Sequence, residues 1–330
     1  MERIISIDIA KAICIILVVI GHYVPDNSPD WYVALHDIIY TFHMPLFMFA
    51  SGYVYIATKK DRTYGNFLIK KIRRLMVPYF ATSFIVISIK LLTQGSMSVD
   101  SPVNMWSYLR MFYLPEAGAF LWFIWALWWM FVVVELLKSK SSRTFLFVLA
   151  LVIHYIPMNS LPELFCIAQF KRMILFFMLG IFVYEHDVIN KFVVNYNPYK
   201  VFLSTLLFAG GLCWHLNWGG IEAVLPFTGI FFILEISAMV ANTRPLAKRA
   251  WLMSVAASSY IIYLFHTTFE GLAKSIIRRL PFDSASEPVF ILGAFVVIMA
   301  GILVPILLDR CVFRRYVVTR VLFGYNRRKG

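Results

Sequence analysis

Ten apolar stretches, most of them close in length to a membrane-spanning helix, alternate with short polar or Pro- and Gly-containing segments in this 330-residue chain. A run of about 20 apolar residues lets an α-helix cross the hydrocarbon core of a bilayer. The pattern therefore predicts an all-α, polytopic integral membrane protein with about ten transmembrane helices in one bundle. The stretches fall near 4–24, 32–58, 76–94, 118–137, 143–157, 168–185, 200–215, 221–242, 251–272 and 288–309.

The composition excludes a soluble globular protein. Hydrophobic residues make up 60% of the chain and charged residues only 15%, and the mean hydropathy is +0.74. The four cysteines lack the spacing of a metal site, and we interpret them as packing residues. The first stretch contains Asp8 and Lys11 and is followed by no small-residue cleavage pattern. We therefore expect a retained first helix rather than a signal peptide.

The positive charges are unevenly divided between the two ends of the predicted helices. The formal net charge is +13, and with a cytoplasmic N-terminus 23 of the 31 Lys and Arg residues fall on the cytoplasmic side. Because short cytoplasmic loops collect Lys and Arg, both termini are predicted to be cytoplasmic. Anionic lipid headgroups balance such an excess, so no nucleic-acid partner is expected.

Two of the predicted cytoplasmic segments are especially basic. Seven Lys and Arg residues lie in the predicted loop 59–74, and seven more lie in the predicted tail 310–330. The loop contains more cations than orientation alone requires. From the residues alone, two interpretations of 59–74 stay open, namely a topology signal and a binding site for a polyanionic ligand.

Three polar residues in the first predicted helix indicate a site. A charge within a span costs several kcal/mol unless it faces the protein interior or a water-filled cavity. Asp8 and Lys11 share a helical face, and His22 lies about three turns beyond Lys11, so all three line one stripe. The stripe predicts a polar cavity in the bundle. The alternative is that Asp8 and Lys11 only neutralise each other while His22 caps the helix.

Histidines and hydroxyl groups in two further helices favour the cavity. His43 precedes Pro45 in the second helix, and a proline is tolerated within a span where the bend lines a cavity. Ser259, Tyr263 and His266 share one face of the ninth helix. The chain lacks the closely spaced ligand pairs typical of zinc sites, so no metal is predicted. A neutral imidazole in such a cavity is suited to accept a proton from a hydroxyl group.

The segments around these histidines resemble signatures of the membrane acyltransferase 3 family. Residues 6–12 and 18–22 are similar to its opening signature, in which a Lys or Arg is followed by ten residues and a His; here these are Lys11 and His22. Residues 42–53 resemble the second signature of the family almost residue for residue.

Three further segments extend the resemblance over almost the whole chain. Residues 71–79 are similar to the basic motif before the third helix, with Lys71 where Arg is common. Lys cannot reproduce the bidentate grip of Arg on phosphate. Residues 121–127 and 259–266 resemble two less specific blocks.

The resemblance implies one membrane acyltransferase domain over residues 1–330 that takes an acyl group, most often acetyl, from cytoplasmic acyl-CoA. The implied acceptor is a hydroxyl group of a carbohydrate, such as a cell-surface polysaccharide or its lipid-linked precursor. Some family members carry an additional extracytoplasmic hydrolase-like domain, and none is expected here. A polytopic transporter or flippase of a glycan or small molecule is the alternative function, and a ligand sensor is a weaker one.

The catalytic roles are assigned with this resemblance in mind. His22 is expected to act as the general base for the acceptor hydroxyl, with transient acyl carriage as the alternative. Asp8 and Lys11 are expected to order the cavity, and His43 to orient the substrate or shuttle a proton.

The binding roles complete the predicted site. Lys71, Arg73 and Arg74 are expected to bind the phosphate groups of acetyl-CoA through charge-assisted contacts. The residues expected to contact substrate are His266, Tyr263, Ser259 and Trp122. For Trp122 the alternative is helix packing at the membrane interface, and for His266 it is a structural histidine, with its hydrogen bonds satisfied, at the outer helix end. Glu235, near a cytoplasmic helix end, is expected to pair with a loop cation.

Overall fold

The computed structural model describes residues 5–26, 28–95, 101–156, 163–220, 223–279 and 286–325. All regular secondary structure in this described part is helical. The first seven α-helices are α1 (Ile5–His22), α2 (Asp30–Ala57), α3 (Tyr64–Lys71), α4 (Val77–Thr93), α5 (Ser107–Arg110), α6 (Trp122–Val134) and α7 (Lys140–Tyr155). The others are α8 (Ile167–Glu185), α9 (Asp187–Val194), α10 (Pro198–Trp218), α11 (Leu225–Thr243), α12 (Leu246–Ile277), α13 (Glu287–Leu308) and α14 (Val317–Leu322). Short 3-10 turns form at Ala119–Leu121 and Leu164–Cys166, and π-helical turns form at Ile72–Met76 and Asp309–Phe313.

The long helices confirm an all-α, polytopic membrane protein. Among the described residues, eight helical stretches are long and apolar enough to cross a membrane. They are Ile5–His22, Asp30–Ala57, Tyr64–Thr93, Leu164–Glu185, Pro198–Trp218, Leu225–Thr243, Arg249–Ile277 and Glu287–Phe313. The shorter apolar helix Ala119–Val134 and helix α7 coincide with the two remaining predicted stretches.

The prediction of a loop over 59–74 is wrong for most of that segment. The chain is helical from Tyr64, after Thr63, whose side chain accepts a hydrogen bond from the Asn66 backbone N–H at 3.4 Å. Helix α3, the π turn Ile72–Met76 and helix α4 then follow without a break. Lys and Arg are good helix formers, so a dense basic segment does not by itself indicate a loop.

The chain forms two compact units, each assembled from segments that are distant in sequence. Unit 1 comprises Met1–Lys59, Phe176–Tyr263 and Phe282–Ile298. Unit 2 comprises Lys60–Leu175, Leu264–Pro281 and Met299–Gly330. The assignment of all 330 residues to one functional domain stays a prediction.

In unit 1, α1 packs against α2 and α11, and α11 also contacts α9 and α10. Helices α2 and α8 approach each other closely through two glycines. A Cβ atom at Gly52 would overlap the Phe177 carbonyl oxygen, and one at Gly180 would overlap the Phe49 carbonyl oxygen. Small residues allow such close packing of helix backbones in membranes. Gly52, which belongs to the second signature, therefore has a packing role.

In unit 2, α6 packs against α3 and against the π turn Ile72–Met76. The loop between α4 and α6 is tied to α4 by Tyr79, whose hydroxyl group lies 2.9 Å from the Met111 carbonyl oxygen and 3.1 Å from that of Leu114. Tyr79 is fully buried. These contacts connect α4, the helix that follows the turn carrying Arg73 and Arg74, to the loop before α6.

Candidate functional site

The polar stripe of α1 begins with an ion pair. Lys11 Nζ lies 3.4 Å from Asp8 Oδ1, and both side chains are largely shielded from solvent. His22 is the last residue of the same helix. Eleven residues at about 1.5 Å each put roughly 16 Å along the axis between Lys11 and His22, so the ion pair and the histidine occupy different levels of the helix.

His22 lies beside Tyr40 of α2. The ring centroids are 6.2 Å apart, and the planes are inclined at 67°. Gly21 makes room for this neighbour, because a Cβ atom on Gly21 would lie only 2.9 Å from Cε2 of Tyr40. The Gly-His pair of the opening signature therefore provides both the imidazole and the space for the aromatic ring beside it.

Tyr40 also joins two other histidines on α2. Its ring centroid is 4.1 Å from that of His36 and 4.7 Å from that of His43. Nδ1 of His36 in turn lies 2.9 Å from Oδ1 of the exposed Asp37. The structure thus brings His22 and His43 to one shared tyrosine, in a cluster that we call the histidine cluster (His22, His36, Tyr40 and His43).

Two members of this cluster, His36 and Tyr40, are absent from the predicted site. Tyr40 follows His36 by four residues and precedes His43 by three, which puts all three on one helical face. That periodicity is the signal that the sequence contained. A tyrosine in an aromatic-rich span has many structural explanations, so the spacing alone does not identify Tyr40 as a site residue. The contact between α1 and α2 does.

His43 is held in one orientation. It is 3% exposed, and its Nδ1 lies 2.8 Å from the Ile39 carbonyl oxygen. Because a carbonyl oxygen only accepts, Nδ1 must carry the proton, which leaves Nε2 as the acceptor of the neutral ring. The Cys14 thiol donates to the His43 carbonyl oxygen at 3.0 Å, close to Pro45 within α2.

The other predicted substrate residues are divided between the two units. Ser259 and Tyr263 lie buried in unit 1, one turn apart on α12. His266 and Trp122 belong to unit 2. The His266 side chain is fully buried and meets the Phe120 ring edge to face at a centroid distance of 5.1 Å. Trp122 packs against Phe123 at 6.1 Å.

The basic motif separates into one packed cation and two exposed ones. Lys71 Nζ lies 3.4 Å from the centroid of the Phe131 ring and 5.3 Å from that of Phe67. Arg73 and Arg74 are exposed on the π turn Ile72–Met76. The two arginines are therefore the members of the motif that are accessible to an anion, whereas Lys71 anchors the turn by a cation–π contact.

Within the described residues, no group of three or more His, Cys, Asp or Glu side chains is arranged to hold a metal ion.

A cavity of about 330 Å³ opens in unit 1 beside the N-terminal half of α2. Its polar lining is supplied by Asp30, Asp37, Thr41 and His215, and its apolar lining by side chains of α2 and α10. Asp37 thus lines the cavity and also contacts His36 of the histidine cluster.

Comparison with known proteins gives one family and two relatives. The family described as an acyltransferase domain matches residues 4–310. The chain is 28% identical over 143 residues to nodulation protein NolL of Mesorhizobium japonicum, which covers 42% of this chain and 37% of that protein. It is also 28% identical over 165 residues to nodulation protein NolL of Sinorhizobium fredii. That match covers 48% of this chain and 43% of the relative. The matched region is thus less than half the length of these curated relatives. No solved structure gives a significant match.

Proposed function

Because the chain belongs to the acyltransferase 3 family, we propose that it is a membrane-bound O-acyltransferase that moves an acetyl group from acetyl-CoA to a hydroxyl group of a carbohydrate. The proposed acceptor is a cell-surface polysaccharide or its lipid-linked precursor. The observation that carries the proposal is the ring contact of His22 and His43, one from each of two helices, with the shared Tyr40.

His22 is the general base in this proposal. Its imidazole takes the proton of the acceptor hydroxyl as the hydroxyl oxygen attacks the thioester carbonyl carbon. The new C–O bond forms and the C–S bond breaks, and the imidazolium then returns the proton to the departing CoA thiolate. Imidazole suits both steps because it gains and loses a proton near neutral pH.

The neighbours of His22 support this role. Tyr40 packs against its ring and limits the orientations that the imidazole can take. The Nε2 acceptor of His43 is available to orient the acceptor or to pass on a proton, because Nδ1 is committed to Ile39. The Asp8–Lys11 pair keeps the far part of the stripe polar without net charge.

Acetyl-CoA is the proposed donor because its phosphate groups match the exposed Arg73 and Arg74. Arginine binds phosphate with two parallel hydrogen bonds, which a lysine cannot do. Lys71, expected from the sequence to join them, supports the same turn from its place over the Phe131 ring.

The cavity beside α2 is the proposed acceptor site. Its carboxylates at Asp30 and Asp37 accept hydrogen bonds from sugar hydroxyl groups. The contact between Asp37 and His36 links this cavity to the histidine cluster. We expect Asp37→Asn to raise the KM for the acceptor and to leave the KM for acetyl-CoA unchanged.

The proposed location is the bacterial inner membrane, with both termini in the cytoplasm. The excess of Lys and Arg in alternate connections supports this orientation. It also puts the basic motif on the side where acetyl-CoA is made. Fusions of a fluorescent protein and of alkaline phosphatase to the C-terminus test it, since only the first should be active.

The decisive experiment measures transfer of a labelled acetyl group from acetyl-CoA to surface glycan in membranes that contain the protein. His22→Ala should lower the rate by about 100-fold or more, the usual contribution of a general base. His186→Ala is the matched control, because this histidine also lies in unit 1 but sits between α8 and α9, outside the histidine cluster, with its Nδ1 next to the Phe182 carbonyl oxygen.

Three outcomes would contradict parts of the proposal. An unchanged rate in His22→Ala would exclude the general base. Trapping of an acetylated His22 would replace the base by an acyl carrier. Uptake or flipping of a glycan with no acetyl transfer would indicate a transporter instead of an enzyme.

A further inference from the structure

The C-terminal segment, defined here as residues 309–325, lies almost wholly beyond the family match, which ends at residue 310. It begins with the π turn Asp309–Phe313 and continues into the short helix α14. All of it belongs to unit 2, the unit that also carries Arg73 and Arg74.

The two ends of this segment are held together at a buried carboxylate. Asp309 is fully buried, and its Oδ2 accepts a hydrogen bond from Nη2 of Arg314 at 2.5 Å. The Tyr325 hydroxyl group donates to the other oxygen of the same carboxylate. The Asp309 carboxylate raises the pKa of Arg314, and burial raises the pKa of Tyr325. Arg314 therefore stays a cation and Tyr325 a neutral phenol at physiological pH.

Three aromatic rings fix the segment to α12. The Phe313 and Phe323 rings are stacked at 4.0 Å, and both are buried. Phe265 of α12 packs on them at centroid distances of 5.5 Å and 5.7 Å. Aromatic pairs of this kind stabilise packing beyond the area that they bury, so the segment has a preferred position.

Helix α14 ends in a turn that only glycine makes without strain. The Tyr325 backbone N–H donates to the Arg320 carbonyl oxygen at 2.8 Å, and Gly324 has a φ of +74°. This is the left-handed helix end in which glycine is strongly preferred. The turn directs the chain back towards Asp309.

Gly324 lies directly against the backbone of the π turn Ile72–Met76. A Cβ atom on Gly324 would lie 2.9 Å from Cα of Arg74 and 3.0 Å from the Arg73 carbonyl oxygen. Both neighbours are backbone atoms, which cannot move aside as a flexible side chain can. Helix α14 also contacts α4, the helix that follows the π turn.

The π turn itself points to function. Single π turns within α-helices are rare and occur frequently at functional sites. Here the turn carries the two exposed arginines, and their guanidinium groups are directed by a backbone that has Gly324 on one side. On the other side, the turn packs against α6.

We propose that the C-terminal segment positions the Arg73–Arg74 turn for binding of the acyl-CoA phosphate groups, and that Gly324 is the positioning residue at the contact. This inference rests on the proposed function, because it assumes that the two arginines meet a phosphorylated donor. It assigns to a segment outside the family match a role in donor affinity, separate from the chemistry at His22.

The test compares Gly324→Ala with Gly220→Ala in the full-length, detergent-purified protein. Gly220 has a nearly identical φ of +73°, but a Cβ atom there would meet nothing within 4 Å, so its variant carries the same backbone strain without the clash. Gly324→Ala should raise the KM for acetyl-CoA by about ten-fold with kcat within about two-fold, as expected when charge-assisted contacts are misplaced. Gly220→Ala should leave the KM unchanged.

A second readout uses acetyl-dephospho-CoA, which lacks the 3′-phosphate. The wild-type protein should have a lower KM for acetyl-CoA than for acetyl-dephospho-CoA. In Gly324→Ala the ratio of these two KM values should be closer to one. Tyr325→Phe removes one hydrogen bond to Asp309 and should change both readouts in the same direction; it decides the question if Gly324→Ala does not fold.

Different results would contradict the proposed function and the positioning role of Gly324. A wild-type protein that is neither protected by CoA against thermal unfolding nor able to use acetyl-CoA would overturn the proposed function. A wild-type protein that uses acetyl-CoA, with the same KM and donor preference in Gly324→Ala and Gly220→Ala, would overturn only the positioning role.

Discussion

The imidazole of His22 and the phenol ring of Tyr40 lie 6.2 Å apart, centroid to centroid, on two different helices. The contact exists because the residue before His22 is glycine, which leaves Tyr40 the space of a methyl group. A signature residue with no functional group of its own thus controls the surroundings of the proposed base.

Gly21→Ala should therefore impair catalysis without removing any catalytic group. Its Cβ atom would lie 2.9 Å from Cε2 of Tyr40, so the ring must shift away from His22. We expect kcat to fall about ten-fold, the scale on which small misplacements of catalytic groups act. Acetyl transfer measures the effect, and circular dichroism checks the fold.

The matched control is Gly271→Ala, a helical glycine at which a Cβ atom would meet nothing within 4 Å. Tyr40→Phe keeps the ring and should retain most activity, whereas Tyr40→Ala should lose it to at least the extent of Gly21→Ala. Full activity in Gly21→Ala would show that the position of Tyr40 is irrelevant to the reaction.

Replacing a second glycine, Gly52, by alanine should lower the stability of the protein. An added Cβ atom would overlap the Phe177 carbonyl oxygen and would lie 2.8 Å from the carbonyl carbon of that residue, so α2 and α8 must separate. Overpacking of this kind typically costs about 1–3 kcal/mol. We expect Gly52→Ala to unfold at a lower temperature in detergent than the wild-type protein.

Gly210→Ala provides the comparison, because Gly210 lies in α10 with open space around the position of its missing Cβ atom. Replacing such a helical glycine by alanine should stabilise α10 by up to about 1 kcal/mol. Equal unfolding temperatures for the two variants would exclude the close contact between α2 and α8.

The sequence was sufficient to predict the helical, membrane-spanning architecture and two members of the histidine cluster. Long apolar runs have few alternatives to helices in a bilayer, and a histidine within such a run is costly enough to stand out. His22 and His43 were found for that reason. Glu235 was likewise correctly expected to pair with a cation, which is Lys200.

The remainder depended on contacts between segments that are far apart in the chain. Tyr40 became part of the cluster only through the packing of α1 on α2. The basic segment 59–74 has the charge content of a cytoplasmic loop, but charge content alone does not exclude a helix, since Lys and Arg are good helix formers. In the sequence, the C-terminal segment shows only a cluster of cations. Its fold is not predicted, because the hydrogen bond between Tyr325 and Asp309 joins residues 16 positions apart.

The basic motif should separate into a stability role and a binding role. Lys71→Ala removes the cation from the Phe131 ring and should destabilise the protein by about 0.5–2 kcal/mol, the range for cation–π contacts. Arg74→Gln should instead raise the KM for acetyl-CoA with little change in unfolding temperature, because its side chain is exposed. The effect of Arg74→Gln should shrink at high salt, where exposed charges are screened. If Lys71→Ala raises the KM and Arg74→Gln does not, the two assignments must be exchanged.

A buried ion pair between α10 and α11 should stabilise unit 1 strongly. Lys200 Nζ lies 3.0 Å from Glu235 Oε1, and the two side chains are only 12% and 0% exposed. Removing one partner of a buried pair costs about 3–5 kcal/mol, and because Lys200 also donates to the Phe192 and Asn195 carbonyl oxygens, the loss of Glu235 should cost the lower end of that range. We expect Glu235→Leu to be destabilised by this amount in detergent unfolding, and Lys200→Met combined with Glu235→Leu to recover part of the loss. Glu135→Leu is the control, because it removes an equally buried carboxylate, 3% exposed, but leaves Lys138 with 62% of its side chain exposed. An exposed lysine is solvated when its ionic partner is removed, so equal losses in Glu235→Leu and Glu135→Leu would show that burial of the remaining lysine does not set the cost.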